Sequence, residues 1–192
     1  GALEGEAHSG ALRWWRWDPH SVLDRLMAEG AVTPEVRDSG RETLTDAWEL
    51  IRGAEHCAGS WWLSHYDFKP ANCLLASNAL SVLDWDEAAM CPPRQEAVES
   101  ALLWAGYEEG ECRRETFVAF LDGYQAAGGP LLGGLERSDF GKFIASAVGW
   151  FDYLGRCRVD GFPEARFVKD RPNPGAVLAD VRQRLDRIDT WR

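Results

Sequence analysis

His65-Tyr66-Asp67-Phe68-Lys69-Pro70-Ala71-Asn72 runs into Cys73-Leu74-Leu75-Ala76, and beyond Ser77-Asn78 the chain returns through Leu80-Ser81-Val82-Leu83 to Asp84-Trp85-Asp86. The first eight residues are polar and carry no apolar period, which reads as a loop. Two short hydrophobic stretches follow, separated by residues that favour turns, which reads as a strand, a tight turn and a second strand. Asn72 lies five residues after Asp67, and Asp84 twelve residues after Asn72. A hairpin of this length brings Asp84 back beside Asn72, with Asp67 nearby. Three oxygen-bearing side chains are then expected to face one place.

Phosphoryl transfer from a nucleotide is the chemistry that needs such a set. Phosphate oxygens concentrate negative charge, and a hard divalent cation must bridge them. Magnesium takes oxygen ligands and keeps several waters, so one carboxylate and one amide oxygen suffice from the protein. Asp84 and Asn72 are the candidate metal ligands, and with Lys69 the candidate contacts for ATP or another nucleoside triphosphate. Asp67 is the candidate catalytic carboxylate. An ordinary Asp is too acidic to deprotonate an alcohol in advance, so its task is to orient the acceptor hydroxyl and take its proton late. Lys69 offers a point charge to a phosphate oxygen. His65 is expected to brace the loop by hydrogen bonding, since the mechanism needs no imidazole.

The pattern His-x-Asp-x-x-x-x-Asn, followed by a hydrophobic hairpin that ends in Asp, resembles the catalytic and metal loops of the protein-kinase-like fold. With Leu83-Asp84-Trp85-Asp86-Glu87-Ala88 and Cys91-Pro92-Pro93-Arg94-Gln95-Glu96, residues 65–96 resemble the aminoglycoside phosphotransferase and choline kinase superfamily. The resemblance implies an ATP- and magnesium-dependent kinase acting on a hydroxyl of a small molecule. It makes Asp67 the catalytic carboxylate and Asn72 and Asp84 the metal ligands.

Departures from the pattern shape the expectation. Tyr66 stands where the family commonly has glycine, and Glu96 where the helix after the proline turn usually begins with Asp. The family's nucleotide site also needs an N-terminal lobe with a strand lysine. The only lysines here are Lys69, Lys142 and Lys169, and no glycine-rich phosphate loop precedes His65. The glycine-rich stretch at 128–134 follows the motif and reads as a connector. The expected architecture is therefore α+β: a mostly helical C-terminal lobe of the kinase-like fold with a small β-hairpin, its N-terminal ATP lobe absent. Residues 1–12 are read as a flexible lead and 13–192 as the lobe.

Along the chain, Asp18-Pro19 opens a helix over 18–29. Thr33-Pro34-Glu35 opens another over 34–53, with Leu44, Trp48 and Ile51 at helical spacing. Trp61-Trp62-Leu63 reads as a strand leading into the catalytic loop, so the loop and metal hairpin occupy 61–87. Helices are expected at 95–106, 111–126, 136–156 and 174–189, and the acceptor-binding region over 94–192.

The formal charge is −10. It opposes nucleic-acid binding, which needs a basic footprint, and suits a cationic acceptor of the aminoglycoside or choline kind. Asp86, Glu87 and Glu96 are the nearest candidates for contact with the acceptor. Glu99, Asp152, Asp160 and Glu164 are further acids of the helical region. Five dispersed cysteines suggest reduced thiols in a cytoplasm. No apolar run has the length of a membrane span, and no signal peptide is visible.

Tryptophan occurs ten times. The plain expectation is core packing, since indoles bury large areas. Trp14, Trp15 and Trp17 also suit a surface covered by the absent lobe or by a partner. Two other functional classes compete with the kinase. One is a non-catalytic kinase-like remnant that binds a ligand or a protein. The other is a metal-dependent hydrolase using His65, Asp67 and Asp84, which leaves Asn72 and the hairpin unexplained.

Overall fold

The computed structural model describes residues 18–56, 61–77, 79–131, 133–159 and 173–192. The lead at 1–12, the cluster Trp14, Trp15 and Trp17, and Cys57, Asp160 and Glu164 lie outside the described residues. Within them the chain is mostly helical with two small antiparallel sheets.

Local capping chemistry starts the helices. Asp18 accepts the backbone N–H of His20 at 3.0 Å and opens α1, Pro19–Ala28. The Thr33 hydroxyl accepts the Val36 N–H at 3.4 Å at the start of α2, Pro34–His56. α3 is Pro93–Trp104 and α4 is Arg114–Ala126. The helix expected over 136–156 begins with a short 3-10 turn, Arg137–Phe140, started by reciprocal capping between Glu136 and Asp139, and runs on through a helical Gly141 as α5, Gly141–Val159. Arg94 anchors this first turn. Its guanidinium grips both Asp139 oxygens at 2.8 and 2.7 Å, and it donates to the carbonyl of Gly134 at 2.7 Å. The connector before α5 is thereby tied to the first turn of α3. α6, Pro174–Trp191, starts from Asn173, which accepts the Ala176 N–H at 2.9 Å.

The core lies among α2, α3, α4, α5 and α6, where Val98, Leu102, Phe117, Phe140, Ile144, Val181 and Ile188 are fully buried. A second cluster seats α1 on α2, α5 and α6 through Leu23, Leu26, Leu44, Phe151 and Leu178. No described tryptophan is fully buried; Trp191 packs against the main cluster from its margin, while phenylalanine and the branched aliphatics fill the interior. No helix among the described residues is long and apolar enough to cross a membrane.

Strand β1, Trp62–Ser64, lies one residue later than the expected start at Trp61. It pairs antiparallel with β4, Ala89–Cys91, with Trp62 opposite Cys91 and Ser64 opposite Ala89. The sequence reading missed β4, because three residues between an acidic turn and two prolines carry no period. This pair is the neck from which residues 65–88 project as one excursion. Within it, β2, Cys73–Ala76, pairs with β3, Ala79–Val82, in the register Cys73 to Val82 and Ala76 to Ala79.

The hairpin and neck expose apolar surface: Leu75 is 79% accessible, Leu63 72% and Leu74 58%, with Leu80, Leu83, Trp62 and Trp85 also exposed. So many large apolar side chains exposed on one excursion suit a contact with another surface. In sedimentation velocity the chain alone should self-associate as its concentration rises. A Leu63→Lys/Leu75→Lys variant should sediment as a monomer. Concentration-independent monomer behaviour of the unmodified chain would contradict this.

Candidate functional site

The loop begins with two held residues. The ring of His65 is buried, its Nε2 2.6 Å from the carbonyl oxygen of Leu83, and the Asp67 N–H meets Nδ1 at 3.4 Å. Both contacts suit the tautomer with its proton on Nε2. The imidazole thus ties the catalytic loop to the end of the hairpin, and Trp85 packs edge-on against it at 4.7 Å.

Tyr66 adopts φ 71°, the left-handed region, which costs a residue with a side chain roughly 1–2 kcal/mol. Both of its backbone polar groups are gripped from below. Its N–H donates to Glu96 Oε1 at 3.1 Å, and its carbonyl accepts from Lys142 Nζ at 2.7 Å. Burial raises the Tyr66 phenol well above its usual range, helped by the nearby Cys91, Glu96 and Glu87. Phe68 anchors the next step of the loop, its ring 5.5 Å from Trp104 and 6.2 Å from Phe120.

Asn72 and Asp67 meet directly. The Asn72 Nδ2 donates to the Asp67 carbonyl at 2.9 Å and to Asp67 Oδ2 at 2.8 Å. Two acceptors fix the orientation of the amide, so its nitrogen faces Asp67 and its oxygen has no bonding partner among the described residues. Lys69 Nζ stands 3.0 Å from Asp67 Oδ2. Burial pulls the Lys69 ammonium downward, but the bond and charge of Asp67, with Glu108 and Asp84, outweigh it and hold it above its ordinary value. The lysine therefore keeps its charge in this pair through neutral pH and gives it up as pH rises through its raised value.

The hairpin returns the third oxygen group. The Leu83 N–H donates to the Asn72 carbonyl at 2.8 Å, one step beyond the Cys73–Val82 pair. Asp84 follows at φ 60°, ψ 64°, a left-handed conformation that turns the chain sharply into the short 3-10 helix Trp85–Glu87. Its exposed carboxylate makes no hydrogen bond or ion pair among the described residues. It is near enough to Lys69 to raise that ammonium.

Asp67 and Lys69 open onto a cavity of about 680 Å³ between the loop and helices α3, α5 and α6. Its charged lining is Asp67, Glu99, Glu108 and Asp180 against Lys69 and Arg184, an excess of carboxylate. Tyr107 and Trp150 supply aromatic walls. The Tyr107 phenol is pushed up to about 12 by burial, with Asp180 reinforcing it against Arg184. It therefore remains a donor, to Asp180 Oδ1 at 3.3 Å. Arg184 is pinned to Asp180 Oδ2 at 2.8 Å and lies 4.4 Å over the ring of Phe143.

His65, Asp67, Lys69 and Asn72 thus form one bonded set, and Asp84 adjoins it. Asp86 and Glu87 are exposed and, like Asn72 and Asp84, do not line this cavity. Glu96 is buried beneath the loop and holds Tyr66. Glu99 lines the cavity, whereas Asp152 is paired with Arg156 at 2.9 Å and does not. Sequence reasoning missed Lys142, Tyr107, Glu108, Asp180 and Arg184, which reach the site from α5, from the turn after α3 and from α6. Only Lys142 left a signal, as one of three lysines in a chain whose cations are otherwise arginine. Among the described residues no group of three His, Cys, Asp or Glu side chains could hold a metal. The ligands expected from the sequence are the amide oxygen of Asn72 and the carboxylate of Asp84. Compared with known proteins, the chain matches no family model, no curated protein and no solved structure.

Proposed function

We propose that this chain is the catalytic lobe of a phosphotransferase that moves the terminal phosphate of ATP, or of another nucleoside triphosphate, to a hydroxyl of a small cationic molecule. The observation that carries the reading is the bonded set Asp67, Asn72 and Lys69, with Asp84 delivered beside it by the hairpin register. The mostly helical chain with two small sheets agrees with the α+β class that the resemblance of residues 65–96 implies.

The donor set fits magnesium. The Asn72 oxygen is free because its nitrogen faces Asp67, the Asp84 carboxylate is free of partners among the described residues, and both are hard oxygen donors. A bound magnesium ion would neutralise charge on the phosphates. Asp67 orients the acceptor hydroxyl by accepting its hydrogen bond, then takes the proton as the new P–O bond forms. Lys69 supplies positive charge next to Asp67, where the transferring group passes. Asn72 keeps the Asp67 carboxylate aimed. The cationic acceptor is supported by the excess of carboxylate on the cavity wall, and by Tyr107 and Trp150 as faces for an ammonium group.

The exposed apolar surface of β1, β2 and β3 supports the further reading that a nucleotide-holding lobe covers the hairpin. A panel of aminoglycosides, choline, amino sugars and neutral polyols, given to the complete protein with magnesium ATP, tests the reaction. Nucleotide consumption that requires an amine-bearing acceptor is expected. Consumption with none of them sinks the reading. The competing reading is a non-catalytic kinase-like module that binds a ligand or a protein. Calorimetric binding of an amine without phosphate transfer is the result that would select it.

A further inference from the structure

We propose that Lys142 is a positioning residue for Asp67 and acts through the backbone of Tyr66. The inference rests on the reading of Asp67 as the group that orients the acceptor.

The Lys142 ammonium donates to the Tyr66 carbonyl at 2.7 Å and to Glu99, with which it makes a short ion pair, and its charge stands 3.0 Å from Glu96 Oε2. Glu96 holds the N–H of Tyr66 while Lys142 holds its carbonyl, so α3 and α5 grip the two sides of a single residue. The ammonium also lies 4.2 Å over the centre of the Tyr66 ring. Ser146 fixes the far oxygen of Glu99 at 2.5 Å and thus completes the base of the clamp.

That residue is the one whose backbone needs holding. Glycine adopts positive φ freely, but tyrosine relaxes toward extended backbone unless its surroundings prevent it. Tyr66 directly precedes Asp67, so relaxation there swings the carboxylate away from Asn72 and Lys69. The seat of Lys142 is itself set by packing. A Cβ at Gly141 would collide with that of Ala54, so this glycine lets the first turn of α5 press against α2. The Gln95 amide, donating to the Ala54 carbonyl at 3.0 Å, locks α3 to the same point.

Amide hydrogen exchange by NMR, together with steady-state kinetics, tests the clamp. In Lys142→Met the amides of Tyr66, Asp67 and Asn72 should exchange at least about tenfold faster, while Val181 and Leu185 in the core of α6 keep their rates. Removing Lys142 alone leaves two buried carboxylates facing each other, which endangers folding. Lys142→Met/Glu99→Gln keeps the formal charge of the buried group as in the natural chain and should show the same local loosening. With the complete protein, Lys142→Met should lower kcat at least about tenfold and leave the nucleotide KM unchanged. Unchanged exchange in the loop, or a loss of protection spread evenly over α3, α5 and α6, overturns the proposal. If the unmodified protein transfers no phosphate, the phosphotransferase reading fails, and the exchange rates alone still decide the clamp.

Discussion

Asp67→Ala abolishes phosphate transfer and leaves the fold standing: that pair of results is expected together. The Asp67 side chain is about a third exposed and touches only Asn72 and Lys69, both within its own loop. It contributes nothing to either hydrophobic cluster. The loss of stability should stay within about 1 kcal/mol, as for most substitutions outside a core. Turnover should fall by about a thousandfold or more, within the range for removing a positioned acid–base group. Asp67→Asn keeps an oxygen for the Asn72 amide but lacks the charge that holds Lys69. Its loop should stay ordered while its turnover remains near that of the alanine variant. Turnover measured beside thermal unfolding separates these outcomes. Retained turnover in Asp67→Ala rejects the assigned mechanism.

The second large effect is expected at Asp84. Its backbone is left-handed, so alanine would add strain to the loss of the carboxylate. Asparagine tolerates that conformation and keeps one oxygen, which makes Asp84→Asn the cleaner test. The bonded set His65, Asp67, Lys69 and Asn72 makes no hydrogen bond to the Asp84 side chain, so the loop should survive the change. The magnesium concentration for half-maximal turnover should rise more than about tenfold, and turnover at physiological magnesium should fall about a hundredfold. A variant with unchanged magnesium dependence removes Asp84 from the metal site. Asn72→Ala is less informative, because it strips the Asp67 carboxylate of its partner along with the ligand.

How far the molecule was legible in its sequence follows from the range of the forces involved. Capping at Asp18 and Thr33 is chemistry between neighbours, and the helices beginning at Pro19 and Pro34 were readable to within a residue at their starts. The hairpin was readable too, since two apolar runs around a turn have few other solutions. The tie between Arg94 and Asp139 was not readable, because the two lie more than forty residues apart in the chain. Strand β4 was hidden because it exists only as the partner of β1.

The site divides along the same line. Asp67, Lys69, Asn72 and Asp84 lie within one loop and one hairpin, where chain spacing constrains geometry. Asp86 and Glu87 share that stretch and, after the turn at Asp84, lie exposed outside the cavity lining, as Asp84 itself does. Glu108, Asp180 and Arg184 come from the turn after α3 and from α6. No spacing rule joins these residues, and only helix packing brings them together. Glu96 was identified for its place after the proline turn, but its task is to hold Tyr66 from beneath.

Convergence of positions 67, 72 and 84 on one divalent ion is tested most directly by paramagnetic broadening in the amide NMR spectrum. Manganese with a non-hydrolysable ATP analogue is titrated into the natural protein and into Asp84→Asn. Broadening should centre on the amides of Asp67, Asn72 and Asp84 at the lowest additions, and the substitution should remove it. Sharp signals at those three positions, while acids elsewhere on the surface broaden, would contradict a shared metal site.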